Sequence, residues 1–107
     1  MRVLVIGTKP GNISLSEIDG SLESMQAIVG GNIEDGTPAQ LRKQRIALMV
    51  NEEGILKSME VNENLWPFFY VGTAFMVGVG IEDLIGLTDE QAAYAMAWLK
   101  ALREVDK

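Results

Sequence analysis

The chain has 107 residues, 48% of them hydrophobic, and its 15 acidic side chains against 9 basic ones give a net charge of −6. That length and hydropathy suit a single globular domain spanning residues 1–107 and exclude disorder over most of it. With no cysteine and no histidine, disulfides, thiolate zinc sites and the usual nucleophile–base pairs are excluded. The acidic balance opposes duplex DNA, whose affinity comes from Lys and Arg displacing counterions.

Residues 2–6, RVLVI, form a β-branched run closed by Gly7 and the Lys9-Pro10-Gly11-Asn12 turn cluster, which predicts a strand entering a hairpin. Ile13, Leu15 and Ile18 supply the partly alternating return strand, ended by Asp19-Gly20. In SLESMQAIV, Leu22, Met25, Ile28 and Val29 share a helical face, with Ser21 as N-cap and Gly30-Gly31 as the left-handed stop. From Asn32 the chain reads as a loop through Asp35-Gly36-Thr37-Pro38 into LRKQ, the most basic stretch of the protein.

RIALMV, residues 45–50, is nearly continuously apolar, as expected of a central strand. Asn51-Glu52-Glu53-Gly54 then predicts a tight reversal into Ile55-Leu56-Lys57, with Gly54 at positive φ. VNENLWPFFYV, residues 61–71, crowds its rings without clean periodicity, and TAFMVGVG reads as a last strand. Thr88 and Gln91 form a capping box, Leu87 can staple to Ala92, and Asp89 and Glu90 suit the positive end of a C-terminal helix of about four to five turns. The expected fold is α+β: an antiparallel or possibly mixed sheet of about five to six strands, with two helices mainly on one face and the longer one C-terminal.

The N-terminal apolar run is too short for a signal peptide or a membrane span, and residues 71–87 are interrupted by Gly72, Gly78, Gly80, Gly86, Glu82 and Asp83. A membrane is therefore not an expected partner. The cysteine-free composition points to the cytoplasm.

Little in the chain carries chemistry. Adjacent Glu52 and Glu53 in a turn point apart, which opposes paired-carboxylate catalysis. Gly78-Val79-Gly80 lacks the third glycine and the immediate helix of a dinucleotide fingerprint, and no segment has the ligand spacing of a calcium loop. The protein is thus expected to be non-enzymatic, with no metal and no cofactor. Two features can bind instead. Arg42, Lys43 and Arg45 can grip a phosphate or simply keep a loop soluble. Trp66, Phe68 and Tyr70 can stack a base, anchor a partner protein or fill the core. The C-terminal helix has an apolar arc wider than one sheet face covers, so Tyr94, Trp98, Ala101 and Val105 are expected to form a homodimer or higher oligomer interface.

The strings EIDGSLESMQAIVGGNIE, ALMVNEEGILKSMEVNENL, VGTAFMVGVG and LTDEQ, in this order and spacing, closely resemble the family named domain of unknown function thirty-eight forty-six. The resemblance covers almost the whole chain. It implies a setting in phages, plasmids and related mobile elements, whose small non-enzymatic proteins commonly bind a host factor or sequester a defence signal. It maps Gly30, Gly31, Asn51, Glu52, Glu53, Gly54, Asn62, Gly72 and Phe75 onto the family pattern, mostly as turn or core positions. Members often read LPPNR where this chain reads Met59-Glu60-Val61-Asn62-Glu63, so the basic residue after Asn62 is missing from any anion site there.

The resulting expectation is a counter-defence protein that sequesters a nucleotide-like immune signal, using Arg42, Lys43, Arg45, Trp66, Phe68, Tyr70 and Asn62. The alternative is an inhibitor of a host or defence protein, binding through an exposed apolar or acidic face, with acidic mimicry as one means. Both share one testable outcome: fluorescence anisotropy with duplex DNA at physiological salt should show no binding at micromolar protein. Sub-micromolar, steeply salt-dependent binding would contradict it.

Overall fold

Three strands are buried on both of their faces, and this decides the architecture. In a computed structural model that describes residues 1–105, and side chains as far as Glu104, strands β1 (Arg2–Ile6), β4 (Ile46–Asn51) and β5 (Ala74–Val79) divide their side chains by the period of two. Leu4, Ile6, Ile46, Leu48, Val50, Ala74 and Met76 enter one core cluster, while Val3, Ala47, Met49, Phe75 and Val77 enter a second. Continuous apolar runs such as IALMV are what such two-sided burial requires.

The other elements cover those faces. Strand β2 (Ile13–Glu17) and strand β3 (Ile33–Asp35) form the edges of a sheet ordered β2-β1-β5-β4-β3, and the two-residue β6 (Leu84–Ile85) pairs with β5. Every pairing is antiparallel, so the sheet is not mixed. Helix α1 (Leu22–Val29) puts Met25 and Val29 into the second cluster. Helix α2 (Ala39–Arg42) and helix α3 (Asp89–Val105) lie against the first, through Leu41 and through Ala95, Trp98 and Leu99.

The α+β class, the antiparallel sheet and the long C-terminal helix match expectation, but five details differ. Helices cover both faces of the sheet, not mainly one, because the inner strands are apolar on both sides. LRKQ contributes to the short helix α2 rather than to a loop. Ile33–Asp35 forms a strand against β4, Ile33 facing Asn51. No hairpin follows β4: residues 52–58 are turns, and 61–71 contributes only the isolated bridge between Val61 and Val71. Gly54 has no positive φ; a Cβ there would lie 2.7 Å from Val71 Cγ2, so close packing is what excludes a side chain. Among the described residues, no helix is long and apolar enough to cross a membrane.

The helix ends are built as their residues predict. Thr88 N–H donates to Gln91 Oε1 and Gln91 N–H to Thr88 Oγ1, both at 3.0 Å, a reciprocal box that satisfies two otherwise orphaned donors. Gln91 Nε2 also donates to the Arg45 carbonyl at 2.8 Å, fastening α3 to the start of β4. At α1, Ser21 Oγ accepts from Ser24 N–H at 3.0 Å, and Gly30 takes the left-handed conformation at φ 79°.

Asp19 steadies the approach to α1 by accepting the Ser21 N–H at 2.9 Å. That bond, then the hydroxyls of Ser21 and Ser24, hold its carboxyl at about 2, below the ordinary 3.8. A carboxylate favoured in the folded state stabilises above its unfolded pKa and loses that effect as pH falls through the folded one. Asp19→Ala should therefore melt below wild type at pH 7, with the gap constant down to about pH 4 and closing towards pH 2. Melting curves across that range check it, and a gap independent of pH would contradict it.

Candidate functional site

The predicted cations and rings do not share a site. Arg42 closes α2 and donates to Asp35 Oδ2 at 3.5 Å. Asp35 also accepts the N–H of Thr37 at 2.9 Å and the Thr37 hydroxyl. Partial burial, the largest single influence, pushes the Asp35 carboxyl up, but the Thr37 bonds and the Arg42 guanidinium together hold it below the usual value. Arg42 and Arg45 line a cleft of about 230 Å³ with Ala47, Met49 and Leu84, on the α1 side of the sheet. Lys43 is exposed and does not line it.

The rings lie elsewhere. Phe68 packs 5.5 Å from Trp98 and 6.3 Å from Tyr70, centroid to centroid, against the α3-side cluster. The Tyr70 hydroxyl donates to the Gly36 carbonyl, and burial, with the charge of Asp35 behind it, raises its pKa. Trp66 is 43% exposed but lines none of the clefts described here. Base stacking by these rings beside Arg42 and Arg45 is therefore not what the fold builds.

Asn62 is a structural residue. It is fully buried; its Nδ2 donates to the carbonyls of Ile6 at 3.1 Å and Gly72 at 2.9 Å, while Oδ1 accepts the Asn64 N–H at 3.1 Å. Both of its donors are used and the side chain is closed off from solvent, so it is not open to a ligand. Its neighbour Asn64, which the sequence reading passed over, works alongside: Nδ2 donates to the carbonyls of Gly7 at 2.8 Å and Lys9 at 2.7 Å, and Oδ1 accepts the Gly11 N–H at 2.9 Å. Their signal in the sequence is two amides, one on each side of Glu63, flanked by apolar Val61 and Leu65 in a segment of no clear periodicity.

The expected interface also divides. Trp98 is only 9% exposed and belongs to the core, its Nε1 donating to Gln40 Oε1 at 3.0 Å. Tyr94 and Ala101 are exposed along the edge of the buried stripe of α3. The side chain of Val105 lies outside the described residues.

A second cleft, of about 240 Å³, was not anticipated. The turn after β4 forms one wall with Glu52, Glu53, Ile55 and Leu56; Glu34 of β3 forms the other, and Val50, Phe69 and Tyr70 complete it. Ile55, Leu56 and Phe69 are 73%, 84% and 62% exposed. Glu53 is 3.9 Å from Lys57, and among the described residues Glu34 and Glu52 have no cation within 4.0 Å. The sequence signal is Ile55-Leu56, an apolar pair directly after a polar turn, whose composition also suits the return strand of a hairpin. Among the described residues, no three His, Cys, Asp or Glu side chains converge to hold a metal.

The structural role of Asn62 has a measurable consequence. Asn62→Ala strands the buried carbonyls of Ile6 and Gly72 and should cost about 2–4 kcal/mol of stability in urea denaturation. An unchanged midpoint would contradict the role.

The positions carried by the family resemblance have structural work as well. Asn51 Nδ2 donates to the Val29 carbonyl at 3.0 Å, its Oδ1 accepts the Glu53 N–H at 2.7 Å, Gly72 sits at φ 79°, and Phe75 is fully buried. No curated protein and no solved structure matches the chain significantly. Over residues 1–100 it matches the model of one family, and the chain therefore belongs to Domain of unknown function (DUF3846).

Proposed function

We propose that the protein is a non-enzymatic binding protein whose target is a segment of another protein, one that presents an apolar anchor flanked by Lys or Arg. The observation that carries this is the convergence of exposed Ile55, Leu56 and Phe69 on a single cleft edged by Glu34, Glu52 and Glu53. Large apolar side chains held in water around a concavity are the usual mark of an interaction surface. The unpaired carboxylates of Glu34 and Glu52 at the rim favour a cationic partner, speed its encounter and disfavour acidic competitors.

The sequence supports the non-enzymatic part, since a chain without His or Cys lacks the common general base and nucleophile. In the mobile-element setting that the family resemblance implies, the target class is a host or defence protein. Its inhibition follows if the captured segment is one that protein needs.

Selection from a random peptide library displayed against the full chain tests the reading. The expected result is enrichment of peptides pairing an aromatic or aliphatic anchor with flanking Lys or Arg, lost in Leu56→Asp and Phe69→Ser. Because Leu56 and Phe69 are exposed, either change should alter stability by less than about 0.5 kcal/mol. Recovery of no motif, or of one retained by both variants, would overturn the proposal.

A further inference from the structure

Arg45 follows the turn that ends α2 and sits at φ 58°, in the left-handed region that glycine occupies freely and other residues only at a cost. Nothing in its backbone bonding calls for arginine. Its N–H donates to the Arg42 carbonyl at 3.0 Å, and its carbonyl accepts from Val79 N–H and Gln91 Nε2, both at 2.8 Å. Glycine would make the same three bonds. What arginine adds is a guanidinium, and among the described residues no carboxylate lies within 4.0 Å of it. Strain kept at such a position points to a use for the side chain.

Arg45 lines the cleft of about 230 Å³ on the α1 side, as does Arg42. Arg42 is only slackly held, at 3.5 Å from an Asp35 carboxylate whose other oxygen is already occupied by Thr37. Behind the two arginines the lining is apolar: Ile46, Ala47, Met49, Val79 and Leu84. We propose that this cleft binds a small organic phosphate, a phosphomonoester of a compact flat group such as a mononucleotide, with Arg42 and Arg45 on the phosphate and the apolar lining against the ring.

Each part of the ligand follows from a part of the cleft. Guanidinium groups match phosphate oxygens in paired, charge-assisted hydrogen bonds, and two side by side neutralise a phosphomonoester in a protein whose net charge is −6. The apolar lining selects against fully hydrated inorganic anions and for a ring. The volume lies below the roughly 300–1,000 Å³ of drug-sized sites, which limits the organic group to a compact one. The Asp35 carboxylate repels an anion from its own side and directs the phosphate towards Arg45.

The test is a ¹⁵N NMR titration of the full chain with phenyl phosphate, adenosine monophosphate and inorganic phosphate. Phenyl phosphate and the nucleotide should shift the amides of Arg45, Val79 and Leu84, and inorganic phosphate should bind more weakly at the same residues. Arg42→Ala and Arg45→Gly should each weaken phenyl phosphate roughly tenfold, while Lys43→Ala, outside the cleft, leaves it unchanged. Arg45→Gly should also melt no lower than wild type, since the left-handed strain is relieved as the cation is lost. If that variant fails to fold, Arg45→Asn, which also tolerates the left-handed region, carries the same comparison. Absence of shifts at those amides in millimolar phenyl phosphate, wild-type affinity in both arginine variants, or equal affinity for phenyl and inorganic phosphate would each overturn the proposal.

Discussion

Two buried amides hold together the part of the molecule that regular structure does not. Strands β4 and β5 are antiparallel neighbours, yet the chain between them runs from Glu52 to Thr73 instead of turning in a tight hairpin. A segment that long without strands or helices has backbone groups that nothing regular will satisfy. Asn62 and Asn64 supply the missing partners, bonding to carbonyls at the end of β1, in the turn after it and before β5. With the segment fixed there, Leu65 plugs the α3-side core and Phe68 meets Trp98. Phe69 and Tyr70 are left at the wall of the acidic cleft.

The two clefts are separated by the alternation of a single edge strand and its extension. Glu34 and Gly36 line the cleft on the α3 side, and Asp35 and Thr37 line the one on the α1 side. Successive side chains of an extended segment point to opposite faces, so four consecutive residues serve two surfaces of different character. One is acidic with exposed apolar groups, the other cationic with an apolar lining. The bond from Tyr70 to the Gly36 carbonyl and the bond from Leu48 N–H to Thr37 Oγ1 at 2.9 Å hold this divider in place from both sides.

The elements legible in the sequence are those whose local signals agree with their surroundings. RVLVI and IALMV are apolar throughout and lie in the middle of the sheet; Ser21 with Gly30, and Thr88 with Gln91, bracket or open helices where their capping chemistry says they should. What could not be read was set by distant contacts. Ile33–Asp35 is too short and polar to announce itself and is a strand only because β4 lies beside it. Ile55 and Leu56 have the composition of a strand but no partner, and they point into water. Taken separately, Trp98 and Phe68 fit either surface or core, because the contact between them joins residues thirty positions apart in the chain. The arginines were visible as cations, but their cleft is made by strands on either side of the 52–73 connection, beyond the reach of local pattern.

The sheet order has a consequence for how the protein is made. Among the described residues, β5 is the strand that joins the β1–β2 hairpin to the β4–β3 pair within the sheet, with Leu4 opposite Met76 on one side and Leu48 opposite Met76 on the other. Strand β1 must therefore wait, during synthesis, for a strand that leaves the ribosome some seventy residues after it, and closing so long a loop precedes any gain from the contact. A chain terminated before Ala74 has the inner edges of β1 and β4 open, both apolar and both unpaired. Such edges join to other chains, so a chain stopped after β4 but before Ala74 would aggregate rather than stay inert.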